Sequence, residues 1–168
     1  MLDTLEKALK EQLRDLYSAE NQLVKALPKM AKASSSDALR QAFTDHLEQT
    51  RGHVERLQQA AQLLEFKPGG KECKAMVGLI EEGKEVLGEE GSGPVIDLAL
   101  VAAAQRVEHY EIAAYGTARA MAEQLGLTKL ADLLQQTLDE EGTADKKLTA
   151  ISMKELLPAA AENGSSED

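Results

Sequence analysis

The chain has 168 residues and a formal net charge of −10 at pH 7. This length suits one domain with a sizeable core, and the acidic balance excludes nucleic acids and anionic membrane surfaces as partners because both would repel it. With one cysteine, no basic-then-apolar leader and no apolar run of about 18 residues, we expect a cytoplasmic domain without an intramolecular disulfide or a membrane-spanning helix.

The first half of the chain predicts two helices. Abundant Ala and Leu and only 3% aromatic residues favour an all-helical bundle. The first predicted helix begins at a capping box formed by Asp3 and Glu6 and ends near Ala33. Residues 34–37 (Ser-Ser-Ser-Asp) supply a turn and an N-cap for a second helix, which continues to about Leu64. The short connection predicts an antiparallel hairpin.

The second half predicts another helical pair after a long connection. Residues 66–94 are rich in glycine and proline, and they predict a crossover along the bundle with a short helix around 76–80. Pro94 at the first helical position opens the third helix, which continues to about Gln124. We expect a four-helix bundle, with this crossover between its second and third helices.

Glycine, threonine and proline mark the limits of the fourth helix. Gly126 fits a position just beyond the third helix, and Thr128 is the predicted N-cap of the fourth, which continues to about Leu157. Pro158 should end the regular pattern. Residues 1–158 are therefore predicted to form one domain, and the acidic tail 159–168 is predicted to be disordered.

Acidic residues interrupt the apolar stripes of these helices. At about 100° per residue, Glu108 and Glu111 lie within the stripe of the third helix. The predicted inward-facing polar residues are Glu20, His46, His53, Glu108, Glu111, Glu141 and Asp145. A buried ionised carboxylate without a partner costs several kcal/mol. Carboxylates with imidazole are the ligand set for iron or manganese, and no cysteine is placed to favour zinc or an iron–sulfur cluster.

The two halves are also related by a weak internal repeat. An offset of 91 residues aligns Glu20 with Glu111 and Leu47 with Leu138. The repeat predicts a pseudo-twofold axis with these two glutamates facing each other across it.

The helix order and the inward acids resemble the ferritin-like di-iron carboxylate proteins. In these proteins each half gives a Glu from its first helix and a Glu-x-x-His motif from its second. Here the second helix has His53 but Thr50 in place of the Glu, and the fourth has Glu141 but Ala144 in place of the His. The resemblance therefore implies an asymmetric site in which Glu108 and Asp145 supply additional acids.

Four segments resemble the YciE/YciF family of stress-associated ferritin-like proteins. They are residues 16–23 (LYSAENQL), 46–50 (HLEQT), 107–117 (VEHYEIAAYGT) and 137–148 (TLDEEGTADKKL). The resemblance implies a homodimer with a two-metal site and a role in stress, without a defined reaction. It supports metal ligation by Glu20, His46, Glu108, Glu111, Glu141 and Asp145.

Several alternatives remain open from the sequence. Arg119 lies on the stripe of the third helix and offers a salt bridge to a core acid, and His53 is either a ligand or a hydrogen-bonding residue at the rim. Tyr17 and Tyr115 are expected to pack in the core with hydroxyls bonded to carboxylates. The favoured function is a dinuclear iron or manganese site that reacts with oxygen or peroxide; the alternatives are iron storage and a non-enzymatic stress or interaction module.

Overall fold

The computed structural model describes residues 2–164, which contain helices and no strand. The helices are α1 (Leu5–Ala33), α2 (Asp37–Leu63), α3 (Lys74–Gly88), α4 (Gly93–Gln124), α5 (Thr128–Ile151) and α6 (Leu157–Gly164). A π-helical turn, Ser152–Leu156, joins α5 to α6. The predicted all-α class is confirmed. No helix in the described residues is both long and apolar enough to cross a membrane.

Helices α1, α2, α4 and α5 form the bundle. Helix α1 packs against α2, and α4 packs against α5; contacts between α1 and α4 and between α2 and α5 join the two pairs. Helix α3 lies against α1 and α4 as part of the crossover. It has 15 residues, which span about 22 Å at 1.5 Å per residue. The predicted short crossover helix is therefore present, and it is longer than the 76–80 segment.

A buried carboxylate fixes the direction of the crossover. Asp97, near the start of α4, is 0% exposed and accepts hydrogen bonds from Ser35 N at 3.0 Å, Ser35 Oγ at 2.6 Å and Ser36 N at 2.7 Å. The starts of α2 and α4 therefore lie at the same end of the bundle. A β-carbon on Gly93 would lie 2.7 Å from Ser35 Oγ, so only glycine allows this close approach.

The helix caps partly follow the sequence prediction. Ser36 caps α2, and its hydroxyl accepts from Leu39 N at 3.2 Å as expected. The predicted capping box at Asp3 is wrong. Thr4 is the N-cap of α1, and its hydroxyl accepts a hydrogen bond from Lys7 N at 3.2 Å.

The loop before α5 is tighter than predicted. Gly126 has φ 72°, as expected for a residue just beyond a helix, and Leu127 N donates to Ala122 O at 2.9 Å. This turn brings the chain directly into α5. Leu127 is therefore the N-cap, and Thr128, the predicted cap, is already the first helical residue.

The sequence predicts that the regular helix ends at Pro158. In the structure, the helical path continues beyond this residue. In the π-helical turn Leu157 N donates to Ser152 O, five residues earlier, and Pro158 then lies in the first turn of α6. A proline is tolerated there because an N–H in a first turn needs no intrahelical acceptor. Residues 159–164 of the predicted disordered tail are helical, and residues 165–168 lie outside the described residues.

The core consists of two hydrophobic clusters with a polar layer between them. One cluster contains Leu23 and Phe43, and the other contains Leu16 and Leu57. On α1, Glu20 lies between Leu16 and Leu23; on α2, both predicted site histidines lie between Phe43 and Leu57. The bundle therefore brings the polar residues of its four long helices together at mid-height.

We predict that Asp97→Ala lowers the free energy of unfolding by about 3 kcal/mol, because three donors of the α1–α2 turn lose a charged acceptor. Urea unfolding measures the change. Asp132→Ala, at an exposed position of α5, is the control and should change stability by less than about 0.5 kcal/mol. Equal effects of the two substitutions would contradict this role of Asp97.

Candidate metal centre

The polar layer contains six of the seven residues that the sequence identifies. Glu20, His53, Glu111 and Glu141 are 0% exposed, and His46 and Glu108 are 5% and 2% exposed. The two histidines lie on the buried face of α2, whereas their neighbours Leu47 and Val54 are only half-buried. Phe43, Thr50 and Leu57 are buried on the same face, so His46 and His53 share the inward side of α2 with them.

One group of candidate ligands joins α2, α4 and α5. Donor atoms of His46, Glu108, Glu111 and Glu141 all lie within 4.8 Å of one another. His46 Nε2 is 3.3 Å from Glu108 Oε1 and 3.6 Å from Glu141 Oε2. Three carboxylates and one imidazole therefore surround a single small volume.

A second group joins α1, α2 and α5. Donor atoms of Glu20, His53 and Glu141 lie within 4.8 Å of one another. His53 Nδ1 is 3.3 Å from Glu20 Oε1 and 2.9 Å from Glu141 Oε1. Glu141 belongs to both groups and turns one oxygen toward each histidine.

Most of the side-chain oxygen and nitrogen atoms in this layer have no hydrogen-bond partner. Nine buried side-chain nitrogen or oxygen atoms in the described residues lack one, and all but Arg119 Nε belong to these six residues. They include both oxygens of Glu111, both oxygens of Glu141, His46 Nε2 and His53 Nδ1. His53 Nδ1 and Glu141 Oε1 are close but are not aligned as a hydrogen bond. Buried polar atoms are normally paired, so this cluster fits a ligand that accepts electron pairs from all of them.

Burial and mutual repulsion disfavour ionised carboxylates here. Burial raises the pKa of Glu108, and the charges of Glu141 and Glu20 raise it further against the opposing effect of His46. Burial and the acids Glu20, Glu141 and Glu108 raise the pKa of Glu111 well above its usual range. Burial also raises the pKa of Glu141, although His53 opposes the shift. Cations in this layer would reverse these effects by favouring the ionised form.

The outer nitrogen of His53 contacts Glu140, which forms an ion pair with Arg56. The sequence analysis did not identify this pair. His53 Nε2 lies 2.9 Å from Glu140 Oε2, and Arg56 donates to both oxygens of Glu140, at 2.9 and 2.7 Å. These contacts with Arg56 and His53 hold the pKa of Glu140 below its usual range despite partial burial. The missed signal was the spacing of His53 and Arg56, which puts both on one face of α2.

A tyrosine contributes to the second group as predicted. Tyr115 is fully buried, and its hydroxyl donates to Glu20 Oε1 at 2.5 Å. Burial, followed by the charges of Glu20 and Glu111, raises the pKa of Tyr115 well above its usual range, so it remains a donor. Tyr17 differs from the prediction, because its hydroxyl accepts from Gln58 Nε2 at 3.3 Å and bonds to no described carboxylate.

Asp145 is the predicted site residue that the structure does not bring into either group. Its side chain is 21% exposed, and its Oδ1 accepts from Gln105 Nε2 at 2.9 Å and lies 3.4 Å from His109 Nε2. One helical turn beyond Glu141, α5 has already left the polar layer and faces α4 near the surface. The geometry gives no support for ligation by Asp145.

Two further residues from the sequence analysis, Arg119 and Thr50, make local contacts on their own helices. Arg119 Nη1 donates to Glu123 Oε1 at 2.5 Å, and no described ion pair joins Arg119 to a core acid. Thr50, at the repeat position equivalent to Glu141, donates its hydroxyl to His46 O at 2.8 Å. The site is therefore asymmetric: both histidines come from α2, and the acid that joins the groups comes from α5.

Comparison with known proteins agrees with the fold. YciF of Escherichia coli strain K12 is 47% identical over 156 residues, which cover 92% of this chain and 94% of that protein. The crystal structure of the E. coli stress protein YciF superposes with a TM-score of 0.87 at 49% identity and covers 90% of this chain and 96% of its own. YcfI from Rhodopseudomonas palustris gives 0.85 at 47% identity, over 88% and 94%.

A more distant comparison concerns the fold alone. A structure of ferritin-like, diiron-carboxylate proteins from Bacillus anthracis strain Ames superposes with a TM-score of 0.69 at 16% identity, over 89% of this chain and 99% of its own. The family described as a domain of unknown function, DUF892, matches residues 4–161. The predicted resemblance to the YciE/YciF family and the predicted ferritin-like bundle are confirmed, and the chain belongs to the family described as a domain of unknown function, DUF892.

Proposed function

We propose that this ferritin-like stress protein holds two divalent ions, iron or manganese, in the polar layer of its bundle. The observation that carries the proposal is the position of Glu141, whose two oxygens turn toward the two histidines of separate ligand groups. One ion lies among His46, Glu108, Glu111 and Glu141, and the other lies among Glu20, His53 and Glu141.

The donor set decides the class of metal. Carboxylate oxygens outnumber imidazole nitrogens in both groups, and Cys73, the one cysteine, belongs to neither. Such oxygen-rich sites suit iron and manganese better than softer metals. The four ionised glutamates carry four negative charges, which two divalent ions neutralise. The charge balance therefore favours two ions over one.

The surrounding residues prepare this layer for redox chemistry. Two adjacent ions of variable valence supply electrons to a small oxidant such as oxygen or peroxide. Tyr115 fixes Glu20 by donating a hydrogen bond, and Glu140 fixes the ring of His53 from its outer side. The hydrophobic clusters above and below exclude bulk water and strengthen the electrostatic interactions within the layer.

The first test is metal retention by the purified chain. After incubation with Fe(II) or Mn(II) and removal of free metal, we expect about two ions per chain and a higher melting temperature. A ligand at one hundred times its Kd stabilises the folded state by about 2.7 kcal/mol, which raises Tm by roughly 5–10 °C for a chain of this size. Glu141→Gln should retain at most one ion, because both groups lose the shared carboxylate.

Glu48→Gln is the matched control, since Glu48 lies on the exposed face of α2 and pairs with Arg51. It should load as the wild type does. If the wild type retained no more metal than Glu141→Gln, and added metal left Tm unchanged, the acids would be compensated by protons instead and the proposal would be wrong.

We also predict opposite pH responses of the metal-free and metal-loaded forms. Glu108 and Glu111 have a higher pKa in the folded chain than the usual 4.5, so the folded state binds more protons than the unfolded state. The stability of the metal-free form therefore falls as the pH rises above about 5. His53 acts in the same direction. The nearby Glu141 and Glu20 outweigh the effect of burial and raise its pKa from 6.5 to about 10, so its contribution to stability is lost between about pH 6.5 and pH 10.

Because divalent ions displace these protons, the stabilisation by metal should grow over the same pH range. Urea unfolding at pH 5, 6.5 and 8, with and without Mn(II), measures both trends. The double variant Glu108→Gln, Glu111→Gln should flatten the response of the metal-free form. Metal-free stability that rose with pH would refute the assignment.

A further prediction concerns the pair that holds the outer side of His53. Arg56→Gln frees Glu140 and loosens the His53 ring, and it should weaken metal binding by about 10- to 100-fold, as loss of such supporting residues does elsewhere. Competition with a chelator measures the affinity. Arg51→Gln, which removes a guanidinium from the exposed face of the same helix, should leave the affinity unchanged; equal losses in both variants would exclude this positioning role.

Two properties of the chain stay predictions. The homodimer rests on the resemblance to the YciE/YciF family, and the cytoplasmic location rests on the composition of the chain.

A further inference from the structure

A cavity of about 170 Å³ leads from the surface between α2 and α5 to the polar layer. Its wall includes His46 and Glu108, two residues of the first ligand group, together with Gln49, Ala144 and Lys147. Glu20, His53 and Glu141 are not part of its wall. The cavity therefore reaches the first ligand group and stops there.

The second group is closed on its outer side. Glu20 and His53 are 0% exposed, and the outer nitrogen of His53 faces Glu140, which Arg56 holds in place. Tyr115, also 0% exposed, covers Glu20. Two ions in this layer would thus differ in access: one borders a cavity, and the other is enclosed by protein.

Polar side chains control the outer part of the cavity. Lys147 Nζ on α5 contacts Asp45 Oδ2 on α2 at 2.8 Å, and both side chains are about half exposed, at 46% and 47%. Deeper in the cavity, Gln49 Oε1 lies 3.3 Å from His46 Nδ1, which leaves His46 Nε2 directed at Glu108. One exposed ion pair therefore lies at the outer part of the cavity, and one amide contacts the histidine at its base.

We propose that this cavity is the route by which metal ions and small oxidants reach the centre, and that only the ion bound by His46 and Glu108 exchanges ligands with solvent. The inference rests on the proposed function. At about 30 Å³ per molecule the cavity has room for about five waters. A cavity of this size suits a small inorganic reactant, such as dioxygen or hydrogen peroxide.

The test narrows the cavity without touching a ligand. Ala144→Leu places a larger side chain in the wall, and Ala150→Leu, two turns further along α5 and outside the cavity, is the matched control. Anaerobic uptake of Fe(II) by the metal-free chain is followed by stopped flow. Azide binding to the oxidised iron-loaded chain is followed by absorbance. Both experiments use the whole chain.

We expect Ala144→Leu to hold as many ions at equilibrium as the wild type, with uptake and azide association each slowed at least tenfold. Ala150→Leu should stay within twofold of the wild type. Uptake and azide rates for Ala144→Leu that matched the wild type would overturn the route while leaving the proposed metal site intact. A wild type that retained no ions would refute the proposed function itself.

A second variant covers the case in which leucine at 144 prevents folding. Ala144→Cys is folded first and then modified with methyl methanethiosulfonate, which fills the cavity afterwards. The wild-type chain treated in the same way is the control, because Cys73 is 0% exposed. Slowed iron uptake only after modification of Ala144→Cys supports the route, and unchanged uptake by the modified variant contradicts it.

Discussion

The structure depends on one electrostatic constraint: four glutamates from α1, α4 and α5 are buried together at the middle of the bundle. A hydrogen bond donated by Tyr115 and contacts with two histidines satisfy only part of this cluster, and six of its carboxylate oxygens have no hydrogen-bond partner. Burying such a set without compensation would cost more than a domain's net stability allows. The divalent ions that we propose would compensate this charge.

The rest of the fold holds this layer in register. Asp97 ties the start of α4 to the turn before α2, so the axial positions of the two helices that carry His46 and Glu108 depend on one buried carboxylate. Hydrophobic clusters on either side of the layer fix the spacing of the four helices. Outside the layer, Glu140 and Arg56 orient His53, whereas a cavity leaves His46 approachable. The asymmetry of the two halves thus extends from the ligands to their surroundings.

Much of this could be predicted from the sequence, because helical periodicity shows which face of each helix is buried. The four bundle helices, the long crossover and six inward residues followed from that periodicity and from the family resemblance. Asp145 was misplaced because spacing along one helix does not show where the neighbouring helices end the polar layer. Glu140 was missed because its partners, His53 and Arg56, lie on another helix. The continuation through Pro158 depends on a π-helical turn, which local propensity does not indicate.

The most direct test of the account is an anomalous-scattering map from crystals grown with Mn(II) or anaerobically with Fe(II). The account predicts two peaks in the polar layer, one beside His46 and one beside His53, with the Glu141 carboxylate between them. A map without a peak in the layer, or with one peak remote from Glu141, would contradict the central claim.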